Sequence, residues 1–206
     1  YGIYMYVTES NSSSSGIRGK VTIDSNTITN ASNYSIATHY GNVNIHGNTV
    51  LSRTAYIGAS WTGIYSSDCY GAITCNKIQT KTLMSTTANG ISTSKIGDSA
   101  SANLFSIINN EVYIEGTGSV MGIQLSNAAS ANIIHNSVYV TGIGTTLRAM
   151  QMSISGSNTG AIKNNIFVAI GPNGYPIFGT VLAQMDKFDI DYNCYYSPSY
   201  IGYAGA

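Results

Sequence analysis

An aliphatic residue, two variable residues, an asparagine, one more residue and a second apolar residue recur seven times along the chain at unchanged offsets. The copies open on Ile23, Ile45, Ile73, Ile107, Ile133, Ile162 and Ile190. Their asparagines are Asn26, Asn48, Asn76, Asn110, Asn136, Asn165 and Asn193. Successive asparagines lie 22, 28, 34, 26, 29 and 28 residues apart, so the unit is constant while the connections vary in length. That pattern belongs to a solenoid, in which each repeat packs only on its neighbours and stacking buries a continuous core.

The phrase is too short for a helical pattern, and its flanks alternate as strands do: Val21 and Ile23 apolar, Thr22 and Asp24 polar, Ile28 between Thr27 and Thr29. A second phrase, a small residue followed by an apolar one, precedes most copies: Gly2-Ile3, Ser35-Ile36, Gly63-Ile64, Gly90-Ile91, Gly122-Ile123, Ala149-Met150 and, more loosely, Pro176-Ile177. Each unit therefore supplies three short strands. Stacked as rungs, equivalent positions sit roughly 4.7–4.9 Å apart in parallel sheets, and parallel connections are nearly always right-handed. The expected fold is all-β: a right-handed parallel β-helix of about seven rungs, with an asparagine-marked turn in each, forming a single domain over 1–206. Asparagine suits such a turn because it tolerates positive φ. Stacked copies can also pass amide hydrogen bonds from rung to rung as a structural ladder.

Charged residues make up 9% of the chain and the net charge is zero, with no basic cluster, so the electrostatic footprint of a nucleic-acid binder is missing. No apolar run is long enough to insert into a membrane as a helix. The first residues, from Tyr1 to Tyr6, alternate as a strand and lack the basic start of a signal peptide.

Chemistry-bearing residues are sparse. Of three cysteines, Cys75 falls in the row of Ser25, Gly47, Asn109, His135, Asn164 and Tyr192, expected to face the turn interior. Cys69 and Cys75 fit either a loop-closing disulfide or two buried thiols, and Cys194 is left over. Paired carboxylates for glycoside hydrolysis need a separation of about 5 to 9.5 Å, which in a coil means adjacent rungs of one column. The column Asp24, His46, Thr74, Ile108, Ile134, Lys163, Asp191 offers only Asp24 beside His46, read more simply as a solvated pair. Near Asp186, Asp189 and Asp191 share a strand face and form a weak Ca²⁺ candidate, though a charged rung shielding an edge accounts for them better. No cofactor is implied, and no catalytic residue is assigned.

Tyr113, Tyr139 and Tyr196 share an outward column broken by Val168 and are the candidate ligand-binding aromatics, weighed against use as amphipathic surface filler. The longest connections are Glu9 to Lys20 and Gln79 to Asn103; the second carries Leu83, Met84 and Ile96, expected to cover outward Ile108 and Ile134. A threonine column fit for ice binding breaks after Thr27 and Thr49.

The repeated Gly-Ile strand followed by Ile-x-x-Asn-x-Ile/Val resembles the right-handed parallel β-helix repeat of pectate-lyase-like proteins over essentially the whole chain. The stretch Ile162 to Val168, followed by Asp191 to Tyr196, is similar to repeat regions of large secreted surface proteins of the Bacteroidota type. The resemblance implies an extracellular, cell-surface structural or adhesive module, read as a fragment of a longer chain and contacting a glycan or other surface proteins. It also raises the alternative of a polysaccharide lyase or glycoside hydrolase. Lyases on this fold pair a Ca²⁺-binding acidic cluster with a basic residue, and Arg18, Arg53 and Arg148 match no such cluster. Uncapped strand-like ends at Tyr1 to Val7 and after Tyr196 lead to the expectation of further rungs or end-to-end self-association into a filament.

Overall fold

The structure, a computed structural model, describes residues 1–6, 20–55, 58–96, 105–128, 130–153 and 159–205. The chain forms an all-β parallel solenoid of about six turns. Seven asparagine layers close only six circuits, which is why the coil has about six turns rather than about seven rungs.

Each circuit passes through three stacks. The first runs through Ile3–Tyr6, the opening halves of Tyr34–His46 and Trp61–Thr74, then Ala88–Ser94, Val120–Ser126, Leu147–Ser153, Gly174–Gly179 and Gly202–Ala204. The second comprises Lys20–Asp24, the closing halves of the same two long strands, Phe105–Ile108, Ser130–Ile134, Thr159–Lys163 and Phe188–Asp191. These two stacks make one 13-stranded sheet, because the long strands bend without a break. The third stack, from Thr27–Thr29 to Cys194–Tyr196, is a separate 7-stranded sheet. One four-residue helical turn, Leu182–Met185, sits in the last connection.

Register follows the two phrases. The opening isoleucines pair in an unbroken series from Ile23 to Ile190. The small-apolar phrase pairs Ile3, Ile36, Ile64, Ile91, Ile123, Met150 and Ile177. Third-stack Ile28, Val50, Ile78, Val112, Val138 and Phe167 face both series across the interior. Ile45, Ile73, Ile107 and Ile133 are fully buried, each contributing roughly 1.5–3 kcal/mol of apolar burial. The glycine of the second phrase has a steric cause. A Cβ on Gly90 would lie 2.4 Å from Val112 Cγ1 and 2.6 Å from the Gly122 carbonyl oxygen, so the close approach of neighbouring rungs leaves no room here for a larger residue.

Asparagine side chains join the rungs. From Asn26 through Asn165, each Nδ2 donates to Oδ1 of the next asparagine at 2.9–3.0 Å. The backbone N–H of each donates to that same oxygen at 2.9–3.0 Å. From Asn48 onward, Nδ2 also reaches the carbonyl of the isoleucine opening the previous copy, as Asn110 does with Ile73 at 2.9 Å. An amide both donates and accepts, so a column of amides can be buried with its polar atoms satisfied; a carboxylate column could not.

The bend itself lies one residue earlier than expected. Positive φ belongs to Ser25, Gly47, Cys75, Asn109, His135, Asn164 and Tyr192, between 54° and 64°, and not to the ladder asparagines. Most of this row is exposed rather than facing the turn interior. A left-handed residue turns its side chain out to solvent, which leaves its identity free, while the next residue points inward and must satisfy its neighbours. A second bend, between the first and second stacks, uses the same conformation at Tyr40, Asp68, Lys95 and Asn127.

Cys69 is buried with Sγ 3.1 Å from the Ser67 carbonyl oxygen, whereas Cys75 and Cys194 are exposed, so Cys69 and Cys75 are neither bonded to each other nor both buried. In the long connection, Met84 and Ile96 join the core, and Met84 bridges to Gly116 at the end of the third stack. Leu83 lies beside Gly116 and Ile143 instead of covering Ile108 and Ile134. Arg18 and most of the 9–20 connection lie outside the described residues, as do 97–103.

Candidate functional site

Tyr113, Tyr139, Val168 and Tyr196 do share one outward column of the third stack. Tyr113 and Tyr139, however, stack on each other with centroids 5.3 Å apart and planes at 5°. Rings piled along the coil axis spend their facing sides on one another. Burial, with the nearby Glu115 carboxylate, pushes the Tyr113 hydroxyl pKa up. Tyr196 stands apart and is exposed.

The polar candidates are engaged singly. Asp24 pairs in register with His46, but Asp24 Oδ1 accepts from Ser25 Oγ at 2.8 Å, and His46 Nδ1 lies 2.9 Å from Thr74 Oγ1. Asp189 forms an ion pair with Lys163, and this bond raises the lysine pKa. Asp191 Oδ1 accepts from the Tyr192 N–H at 2.8 Å. Among the described residues, no three His, Cys, Asp or Glu side chains converge as a metal site.

The first stack carries a different surface. Its outward columns read Tyr34, Thr62, Asn89, Met121, Arg148, Tyr175 and Tyr4, Ala37, Tyr65, Ser92, Gln124, Gln151, Phe178, Tyr203. A third reads Tyr6, His39, Ser67, Ser94, Ser126, Ser153. Aromatic side chains thus gather at both ends, and mostly polar ones, with Met121 among them, fill the rungs between. One wall is Tyr34 against Tyr65 at 5.2 Å, with His39 5.4 Å from Tyr65 and 5.6 Å from Tyr4. These rings roof Ala37, which is fully buried although it points outward. The other wall is Tyr175 against Phe178 at 5.4 Å, extended by Tyr200 and Tyr203. Tyr65 and Phe178 are four rungs apart, roughly 19 Å at the strand spacing.

Between the walls the floor is an amide and hydroxyl band. Ser92 Oγ donates to Gln124 Oε1 at 3.1 Å, Asn89 Nδ2 to Thr62 Oγ1 at 3.4 Å, and Arg148 Nη1 to Gln151 Oε1 at 2.5 Å. Asn89 Oδ1 is buried with no hydrogen-bond partner among the described residues. At the first wall, Ser67 Oγ donates to Asp68 Oδ2 at 2.6 Å, one rung from His39. Partial burial lowers the His39 pKa, opposed by the Asp68 charge. Elsewhere, a groove of roughly 370 Å³ runs beside the glycines Gly116, Gly142 and Gly171 at the end of the third stack, walled by Leu83, Ile143, Ile170 and Pro172.

The band escaped sequence reasoning because its columns flank the weaker phrase and no single residue type repeats in two of them. The serine column was the legible part: Ser94, Ser126 and Ser153 each lie three residues after the apolar member of their Gly-Ile or Ala-Met phrase. No family model, no curated protein and no solved structure matches the chain.

Proposed function

We propose that the chain is an extracellular structural and adhesive module of a bacterial surface protein of the pectate-lyase-like type, as its resemblance to such repeats suggests, and that it holds a glycan along the first stack. The polar band between two aromatic walls supports the reading. Amides and hydroxyls along the band offer both donors and acceptors to sugar hydroxyls, while the aromatic walls bound it at either end. The asparagine ladder and continuous core give the rigidity such a surface needs, since binding groups already held in place lose little freedom when a ligand arrives.

The test is retention of the chain on an array of immobilised oligosaccharides, alongside Gln124→Trp, which sets a large ring on the floor of the band, and Tyr139→Ala on the third stack. Retention lost in the first variant and kept in the second supports the proposal. No retention of the wild type on any glycan, or undiminished retention of Gln124→Trp, defeats it.

The alternative of a carbohydrate-active enzyme draws on the placement of His39, Ser67 and Asp68 on adjacent rungs at the edge of the same face. Ser67 gives its proton to Asp68 and not to His39, an alignment that does not activate a serine nucleophile. New reducing or unsaturated ends appearing when oligosaccharides are incubated with the chain, and disappearing with His39→Ala, would favour this alternative.

A further inference from the structure

Among the side chains of the polar band, Arg148 is the charged one, and no carboxylate stands in register with it: its column neighbours are Met121 and Tyr175. The guanidinium carbon sits 3.5 Å from the centroid of the Phe178 ring, and Nη1 donates to Gln151 Oε1. The ring fixes the plane of the fork and the amide fixes its rotation. Stacked this way, the guanidinium keeps further N–H groups free to donate in its own plane. The two ion pairs among the described residues, Lys77 with Glu111 and Lys163 with Asp189, do not involve it. Partial burial lowers its pKa, the mark of a cation that water solvates incompletely.

A half-buried, oriented cation with no counter-ion among the described residues, set in a row of neutral hydrogen-bonding groups, is matched by a ligand that is mostly neutral and polar but bears an anion. We infer that Arg148 is an anion subsite of the band, and that the glycan held there is acidic, presenting a carboxylate or sulfate to the guanidinium fork while its hydroxyls meet Ser92, Gln124 and Gln151. The inference rests on the glycan-binding reading above. Both anions have paired oxygens at a spacing the fork can meet with two parallel hydrogen bonds, which a lysine cannot reproduce. The competing explanation is that Arg148 only packs on Phe178.

Calorimetric titration with three tetrasaccharide probes of equal length, one neutral, one carboxylated and one sulfated, separates these. Binding of an acidic probe about ten-fold to a hundred-fold tighter than the neutral one, a preference that shrinks with added salt, is expected from charge-assisted hydrogen bonds. Arg148→Gln should bring that ratio near one, and Arg148→Lys should leave an intermediate ratio; thermal melting of each variant checks that it is folded. Which acidic probe binds more tightly identifies the anion. Equal affinity for neutral and acidic probes in the wild type overturns the anion subsite while leaving glycan binding intact. An acidic preference unchanged in Arg148→Gln overturns it equally. No binding of any probe removes the glycan reading and the subsite together.

Discussion

The asparagine ladder and the polar band obey the same parallel register, yet one repeats a single residue seven times while two of the three columns of the other mix residue types from rung to rung. The ladder faces inward, where each amide's partner is its own copy one rung away, so a change at one position strands polar atoms on two neighbours. The band faces outward, where water can replace any partner. Register therefore enforces sameness inside and permits variety outside, and variety is what a binding surface requires. The left-handed bend row makes the same point at one residue's distance: Ser25, Cys75, His135 and Tyr192 share a backbone conformation and nothing else.

The sharpest way to break this contrast is at the centre of the interior. Ile107 is fully buried between Ile73 and Ile133, and Ile107→Asp places an unpaired charge in the core, a cost of several kcal/mol that should unfold the chain. Circular dichroism and melting read this directly. A folded variant with unchanged melting would show that the register does not govern stability.

Ladder and band can then be compared at matched depth along the coil. Asn110→Ala removes the acceptor of Asn76 and the donor to Asn136 and Ile73, and about 3 kcal/mol should be lost as buried groups go unpaired. Gln124→Ala, which removes one outward acceptor, should cost within about 0.5 kcal/mol. Urea unfolding of both variants gives the difference; equal losses would erase the distinction between inward and outward columns.

The smallest effect concerns pH at the first wall. The folded-state pKa of His39 lies below the ordinary histidine value of 6.5 because burial disfavours the charged ring. The unfolded chain then binds more protons than the folded one as pH falls below 6.5, so stability declines on acidification and levels off once pH is below the folded value. His39→Gln should flatten that decline in melting curves taken across the acid range. A wild-type curve that rises on acidification, with the rise lost in the variant, would show the Asp68 charge to outweigh burial.

The sequence by itself determined the fold class, the three-strand unit, the register of the interior columns and the asparagine positions, because each of these is a repeat and repeats survive connections of any length. It located the bend one residue too late, since tolerance of positive φ and inward hydrogen bonding are both asparagine properties and a sequence does not separate them. It counted phrases and so overstated the turns. It also picked the tyrosine column whose rings face one another and passed over the band. Both sets of aromatics look alike as text; only tertiary structure decides what lies one rung away from a ring, another tyrosine for Tyr113 and the polar band for Tyr65 and Phe178. The partnering of Arg148 is a tertiary fact of the same kind. Phe178 lies 30 positions away in the chain and one rung away in space, and that single rung turns an ordinary arginine into an oriented charge.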